Sequence, residues 1–131
     1  MAKKTDDKKN FTGCLPEIGV DIVEIDRFEL DHKKDAEFLR RIFSSQELKY
    51  CFGRPLPSQH LAARFAAKEA TVKALSAMGI RINDWKKIKI SGGGKDIPKL
   101  TLPAKFNYSA KISLSHNKTA AIAMVLISKL S

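Results

Sequence analysis

A chain of 131 residues and 14.6 kDa has the usual size of one domain, and its 44% hydrophobic content can supply a core without disulfides or structural zinc. The longest apolar run, Thr119 to Ile127, is far short of the roughly 20 residues that cross a bilayer, and charges stand near the N-terminus where a signal peptide needs an apolar core, so neither a membrane span nor export is expected. Lys and Arg number 24 against 14 Asp and Glu, a net charge of +10 that calls for an anionic partner: nucleic acid, a membrane surface, a phosphorylated ligand or an acidic protein.

Residues 1–15 are polar and aperiodic, and they read as a flexible basic leader, leaving one domain over 16–131. Cys14 and Cys51 lack metal-ligand spacing and fit a reducing, cytoplasmic setting. Glu17 to Ile25 (EIGVDIVEI) has the composition and length of a strand, with Asp26 a candidate N-cap for a turn or helix after it. From about Arg27 to Phe43, apolar Phe28, Leu39, Ile42 and Phe43 stand among Lys and Arg, the pattern of one or two basic amphipathic helices. Ser44-Ser45-Gln46-Glu47 matches a capping box, which predicts a short helix to about Phe52.

The prolines at 55 and 57 mark a loop, and the strongest helical segment runs from about Ser58 to Met78, with Gly79 as its stop. The period then changes. Trp85 to Ile90 and Ile97 to Leu102 flank a glycine-rich turn, and Lys111 to His116 and Thr119 to Ile127 flank Asn117-Lys118, which predicts two hairpins. The expected fold is α+β: a single domain with a long central helix packed on a small antiparallel sheet.

Three residues stand where packing alone would not put them. Asp21 shares a strand face with Val23 and Ile25, where a carboxylate must be solvated, paired or bound to metal. Glu69 lies on the shoulder of a helical stripe centred on Leu61, Phe65 and Val72; a surface ion pair with Lys73 one turn later is the simplest account. Taken jointly, two carboxylates beside several cations also suit Mg2+, which takes one or two protein carboxylates and the oxygens of a substrate's phosphates. His116 ends a strand just before a turn, a place open to a proton acceptor, a phosphate ligand or an ordinary turn histidine. Gly92-Gly93-Gly94 lacks the Lys-Ser/Thr of a P-loop and reads as a hairpin turn.

These residues fall inside the strings IGVDIVEIDRF (18–28), RFAAKEATVKAL (64–75) and ISLSH (112–116), with RIFSSQEL (41–48) between the first two. In this order and spacing the strings resemble the holo-[acyl carrier protein] synthase family, the small bacterial type of 4′-phosphopantetheinyl transferase. The resemblance implies that family's fold and the transfer of phosphopantetheine from coenzyme A to a serine of apo-acyl carrier protein, releasing 3′,5′-ADP, for fatty acid biosynthesis. It implies Mg2+ at Asp21 and Glu69, catalytic roles for Glu69, Lys73 and His116, and coenzyme A contacts from Arg64, Lys73 and His116. It further implies docking of the acidic carrier protein on Arg27 and Lys34, and a homotrimer with active sites between subunits. Glu37 departs from the docking pattern by placing an acid where a basic contact is common. A non-catalytic nucleic-acid-binding module and a metal-dependent phosphohydrolase are the alternatives; neither aromatics interleaved with cations nor a recognised motif speaks for nucleic acid, so no nucleic-acid or membrane partner is expected.

Overall fold

The computed structural model describes residues 15–130, so the expected leader, Cys14 included, lies outside the described residues except for Leu15. Strand β1 (Glu17–Glu24) alternates in burial, with Gly19 and Val23 turned inward and Ile18, Val20 and Ile22 outward. A 3-10 turn over Ile25–Phe28 comes next. Asp31 Oδ1 then accepts from the backbone N–H groups of Lys33 and Lys34, both at 2.8 Å, and this local turn competes with helix until α1 (Ala36–Ile42) begins. The basic segment therefore contains one short α-helix and a 3-10 turn, at the lower limit of the one or two helices expected.

Helix α2 (Ser45–Phe52) opens with the predicted capping box: Ser44 Oγ accepts from the Glu47 N–H at 3.2 Å, and Glu47 Oε1 accepts from the Ser44 N–H at 2.8 Å. Helix α3 (Pro57–Ala77) has proline in its first turn, and Gly79 beyond its end adopts φ 76°, which suits a residue without Cβ. Trp85–Lys87 forms a 3-10 turn instead of the expected start of a strand, because the Asp84 side chain caps it by accepting from the Lys86 N–H at 3.1 Å. Strand β2 (Lys89–Gly93) begins after that turn and pairs with β3 (Asp96–Thr101); β4 (Tyr108–His116) and β5 (Ala120–Lys129) form the second hairpin. The main sheet is antiparallel in the order β1-β5-β4, and β2-β3 is a separate two-stranded sheet. The architecture is the α+β arrangement expected.

Alanines on α3 and on β5 let helix and sheet approach closely, and the closest point is Gly19, where an added Cβ would overlap the Ala70 carbonyl. The buried face of α3 is wider than its large apolar residues suggested. Phe65 and Val72 are only half-buried, whereas Leu61, Arg64, Lys68, Thr71 and Leu75 are buried. The polarity of Arg64 and Lys68 hid the centre of that face.

Lys68 is fully buried and every donor of its ammonium is used: on Glu47 Oε1 at 2.8 Å, on the Trp85 carbonyl at 2.9 Å and on the Ile88 carbonyl at 2.7 Å. Glu47 Oε2 accepts from the Ile90 N–H at 2.8 Å. Burial pushes the Lys68 ammonium below the ordinary lysine value and the Glu47 carboxylate pulls it back. A capping glutamate thus also fastens α2, α3, the 3-10 turn and β2 into one unit.

Candidate active site

Asp21 and Lys73 meet across β1 and α3. Lys73 Nζ donates to Asp21 Oδ1 and to the Val20 carbonyl, both at 3.1 Å; the Asp21 side chain is 15% exposed and that of Lys73 54%. Glu69, one turn before Lys73, faces the same cluster. Its carboxyl is held above the ordinary glutamate value, first by burial and then by the charge of Asp21, with Lys73 and Arg27 acting in the opposite direction. The i, i+4 ion pair between Glu69 and Lys73 suggested by spacing is replaced by the bridge from Lys73 to Asp21, because the strand brings a second carboxylate within reach.

This donor set fits a hard cation. Two carboxylates, Asp21 being close enough to raise the proton affinity of Glu69, stand beside a carbonyl oxygen that already accepts from an ammonium and form an oxygen-lined spot for positive charge. Among the described residues no group of three or more His, Cys, Asp and Glu could hold a metal alone. A cation at Asp21 and Glu69 therefore needs oxygens from a substrate or from water.

A second feature lies on another side of α3. Arg64 and His116 line a cleft of about 340 Å³ together with Tyr50, His60, Gly93 and Gly94. Arg64 is 3% exposed; its guanidinium stands 3.9 Å from the Tyr50 ring centroid and donates to the Gly92 carbonyl at 2.8 Å, while its Nε has no partner. Arg64 forms no ion pair among the described residues. A buried guanidinium without an ion-pair partner among the described residues and with one N–H unused suits an anion, although Asp96 also lines this cleft. His116 is exposed at the end of β4, its Nδ1 3.4 Å from the Asn117 carbonyl.

None of Asp21, Glu69 and Lys73 lines the cleft of Arg64 and His116. At about 100° per residue, Lys73 points about 180° from Arg64 around α3, and Glu69 about 140° from it. The sequence-predicted residues thus form two groups, one with β1 and one with β4, to which α3 contributes from different faces. His60 and Tyr50 were not anticipated: His60 precedes Arg64 by one helical turn, a spacing visible in the sequence, but only the fold adds Tyr50 and the glycine turn. Arg27 and Lys34 are both exposed near the start of the basic segment, and Arg27 approaches the Phe65 ring, 5.9 Å from its centroid. Glu37 is held by Arg41 at 2.8 Å, which leaves it partly neutralised within this basic surface.

The profile of the 4′-phosphopantetheinyl transferase superfamily matches residues 17–125. The holo-[acyl-carrier-protein] synthase of Chlorobaculum parvum is 38% identical over 117 residues, covering 87% of this chain and 99% of that protein. That of Thermodesulfovibrio yellowstonii is 39% identical over 112 residues, covering 84% and 96%. The crystal structure of the Helicobacter pylori enzyme in complex with coenzyme A superposes with a TM-score of 0.71 at 39% identity, over 85% of this chain and 99% of that one. A match along almost the whole described fold, carrying both residue groups, makes this chain a transferase of the 4′-phosphopantetheinyl transferase superfamily and a member of its holo-[acyl-carrier-protein] synthase family.

Proposed function

We propose that residues 16–131 form a domain that moves the 4′-phosphopantetheine group of coenzyme A onto a serine of apo-acyl carrier protein, leaving 3′,5′-ADP, in the cytoplasm and in the service of fatty acid biosynthesis. The observation that carries this is the family match together with the Asp21–Glu69 pair inside it. Buried, free Cys51 suits a reducing compartment, and no helix among the described residues is long and apolar enough to cross a membrane.

The chemistry is displacement at phosphorus. The serine hydroxyl must lose a proton as it attacks, and Glu69, which stands in one cluster with Asp21 and Lys73, is the proton acceptor we assign. Asp21 holds Lys73 in place, and the half-exposed Lys73 ammonium turns toward the diphosphate to neutralise charge that develops there. Mg2+ is the cofactor assigned to Asp21 and Glu69, where it would supply further positive charge to the diphosphate oxygens. Arg64 and His116 take the remaining phosphate of coenzyme A, the 3′-monoester, because their cleft gathers basic side chains around a guanidinium that has no ion-pair partner among the described residues.

A second copy of the chain is needed to join the two groups, which face apart on α3. The outer face of β1 and β5 suits that association: Ile18, Val20, Ile22, Ile122 and Met124 are 41–65% exposed, and β1 Val20 stands opposite β5 Met124 and Ile22 opposite Ile122. We assign a homotrimer, in which Asp21 and Glu69 of one subunit act with the cleft of its neighbour, and carrier-protein docking on Arg27 and Lys34, where the +10 chain meets an acidic protein.

The test is the intact mass of an apo-acyl carrier protein incubated with the full chain, coenzyme A and Mg2+, with EDTA as control. A gain of one phosphopantetheine that EDTA prevents supports both the reaction and the cofactor. No gain with a folded protein and several carriers overturns the reading.

A further inference from the structure

His60 reaches the same cleft as Arg64 from the preceding turn of α3, and its ring packs edge-on against Tyr50 with centroids 5.7 Å apart at 88°. From α2 and the loop after it, His60 faces Tyr50 and Arg54, from its own helix Arg64, from β4 His116, and from the start of β3 the single acid Asp96. Arg54 in turn stacks on Tyr50, its guanidinium carbon 4.4 Å from the ring centroid, and its terminal nitrogen lies beside the position a Cβ of Gly94 would take. Three groups that line the cleft, His60, Arg64 and His116, and Arg54 beside it thus are or can become cations, against one lining carboxylate.

Burial holds the His60 imidazole below its ordinary value, and the charges of Arg64, Arg54 and His116 add to this, while the Pro55 backbone acts in the opposite sense. His60 is therefore neutral at neutral pH before ligand enters. An arriving phosphomonoester carries about −1.5 to −2 charges near pH 7 and reverses the sign of the local field. We propose that His60 is an additional phosphate-binding residue of the coenzyme A cleft, which takes up a proton from solvent when the 3′-monoester binds and so makes the affinity for coenzyme A rise as pH falls. The proposal rests on the assignment of the cleft to that monoester. The sign comes from linkage: binding raises the His60 pKa, so proton uptake accompanies binding, and the benefit disappears as pH rises through the bound-state value.

The phosphomonoester has its own titration near pH 6, and stabilisation of its dianion releases a proton, so the readout is the difference between wild type and His60→Gln. Coenzyme A and dephospho-coenzyme A, which lacks the 3′-phosphate, are titrated calorimetrically into the full chain at about pH 6 and about pH 8, in buffers of different ionisation enthalpy. Loss of one charge-assisted hydrogen bond predicts that His60→Gln weakens coenzyme A about tenfold at the lower pH and less than about twofold at the higher. It should also take up fewer protons than wild type, with dephospho-coenzyme A unaffected. Equal weakening at both pH values, or unchanged proton uptake, overturns the role of His60. Equal affinity of wild type for the two ligands at both pH values overturns the monoester assignment beneath it. In the unsubstituted protein, the His60 ring resonance must shift its titration midpoint upward with 3′,5′-ADP; a midpoint that stays or falls sinks the proposal even if the variant does not fold.

Discussion

Glu69 is costly where it stands. Its carboxyl is raised by burial and by Asp21, so the folded protein binds this proton more tightly than the unfolded chain does, and the stability associated with the protonated form is lost as pH rises through the folded value. Glu69→Gln should therefore raise the thermal midpoint at neutral pH while lowering transfer by about a hundredfold or more, measured by calorimetry and by carrier-protein mass; a variant both less stable and inactive would indicate a packing role. Asp21 and His116 were legible in the sequence because each is a polar residue inside or at the end of an apolar run, and Glu69 because it stands on the shoulder of a helical apolar stripe. Lys68 and His60 were not: a lysine in an alanine-rich helix reads as a surface charge until its partner Glu47, 21 residues away in the chain, is brought against it.

At the scale of elements, the capping box of α2 and the glycine stop of α3 were legible because both are local, satisfied within a few residues. Trp85–Lys87 misled because its one apolar residue, Trp85, carries no mark of the Asp84 cap that winds the segment into a turn. What joins these elements is the Lys68 ammonium. Lys68→Met leaves Glu47 buried without its charge partner and should cost about 3–5 kcal/mol. Cys51, whose thiol burial pushes up to about 12, is a built-in reporter of this loss. It should resist alkylation at neutral pH in the native protein and react in the variant at lower urea concentration; equal protection in both would remove the ion pair from the stability of the fold. The same anchor places Gly92, whose carbonyl receives Arg64, so any surviving fold of that variant should bind coenzyme A less tightly.

The positive charge acts over the whole molecule. Arg27→Glu with Lys34→Glu should slow capture of the acidic carrier protein by about tenfold or more at low ionic strength and less in high salt. Stopped-flow association measures this, and an unchanged rate would move docking elsewhere. The α+β architecture was readable from the change of hydrophobic period along the chain, but the outward set of Ile18, Val20 and Ile22 was not readable as exposed, since apolar alternation alone does not say which face meets the helix. That Lys73 and Arg64 face apart around one helix has a genetic consequence. If each active site takes one face from each of two neighbours, Asp21→Asn and Arg64→Ala chains, both inactive alone, should complement each other when unfolded together and refolded as mixed rings. Random mixing in equal amounts leaves about a quarter of the sites with both faces intact, so two dead enzymes would yield a partly living one.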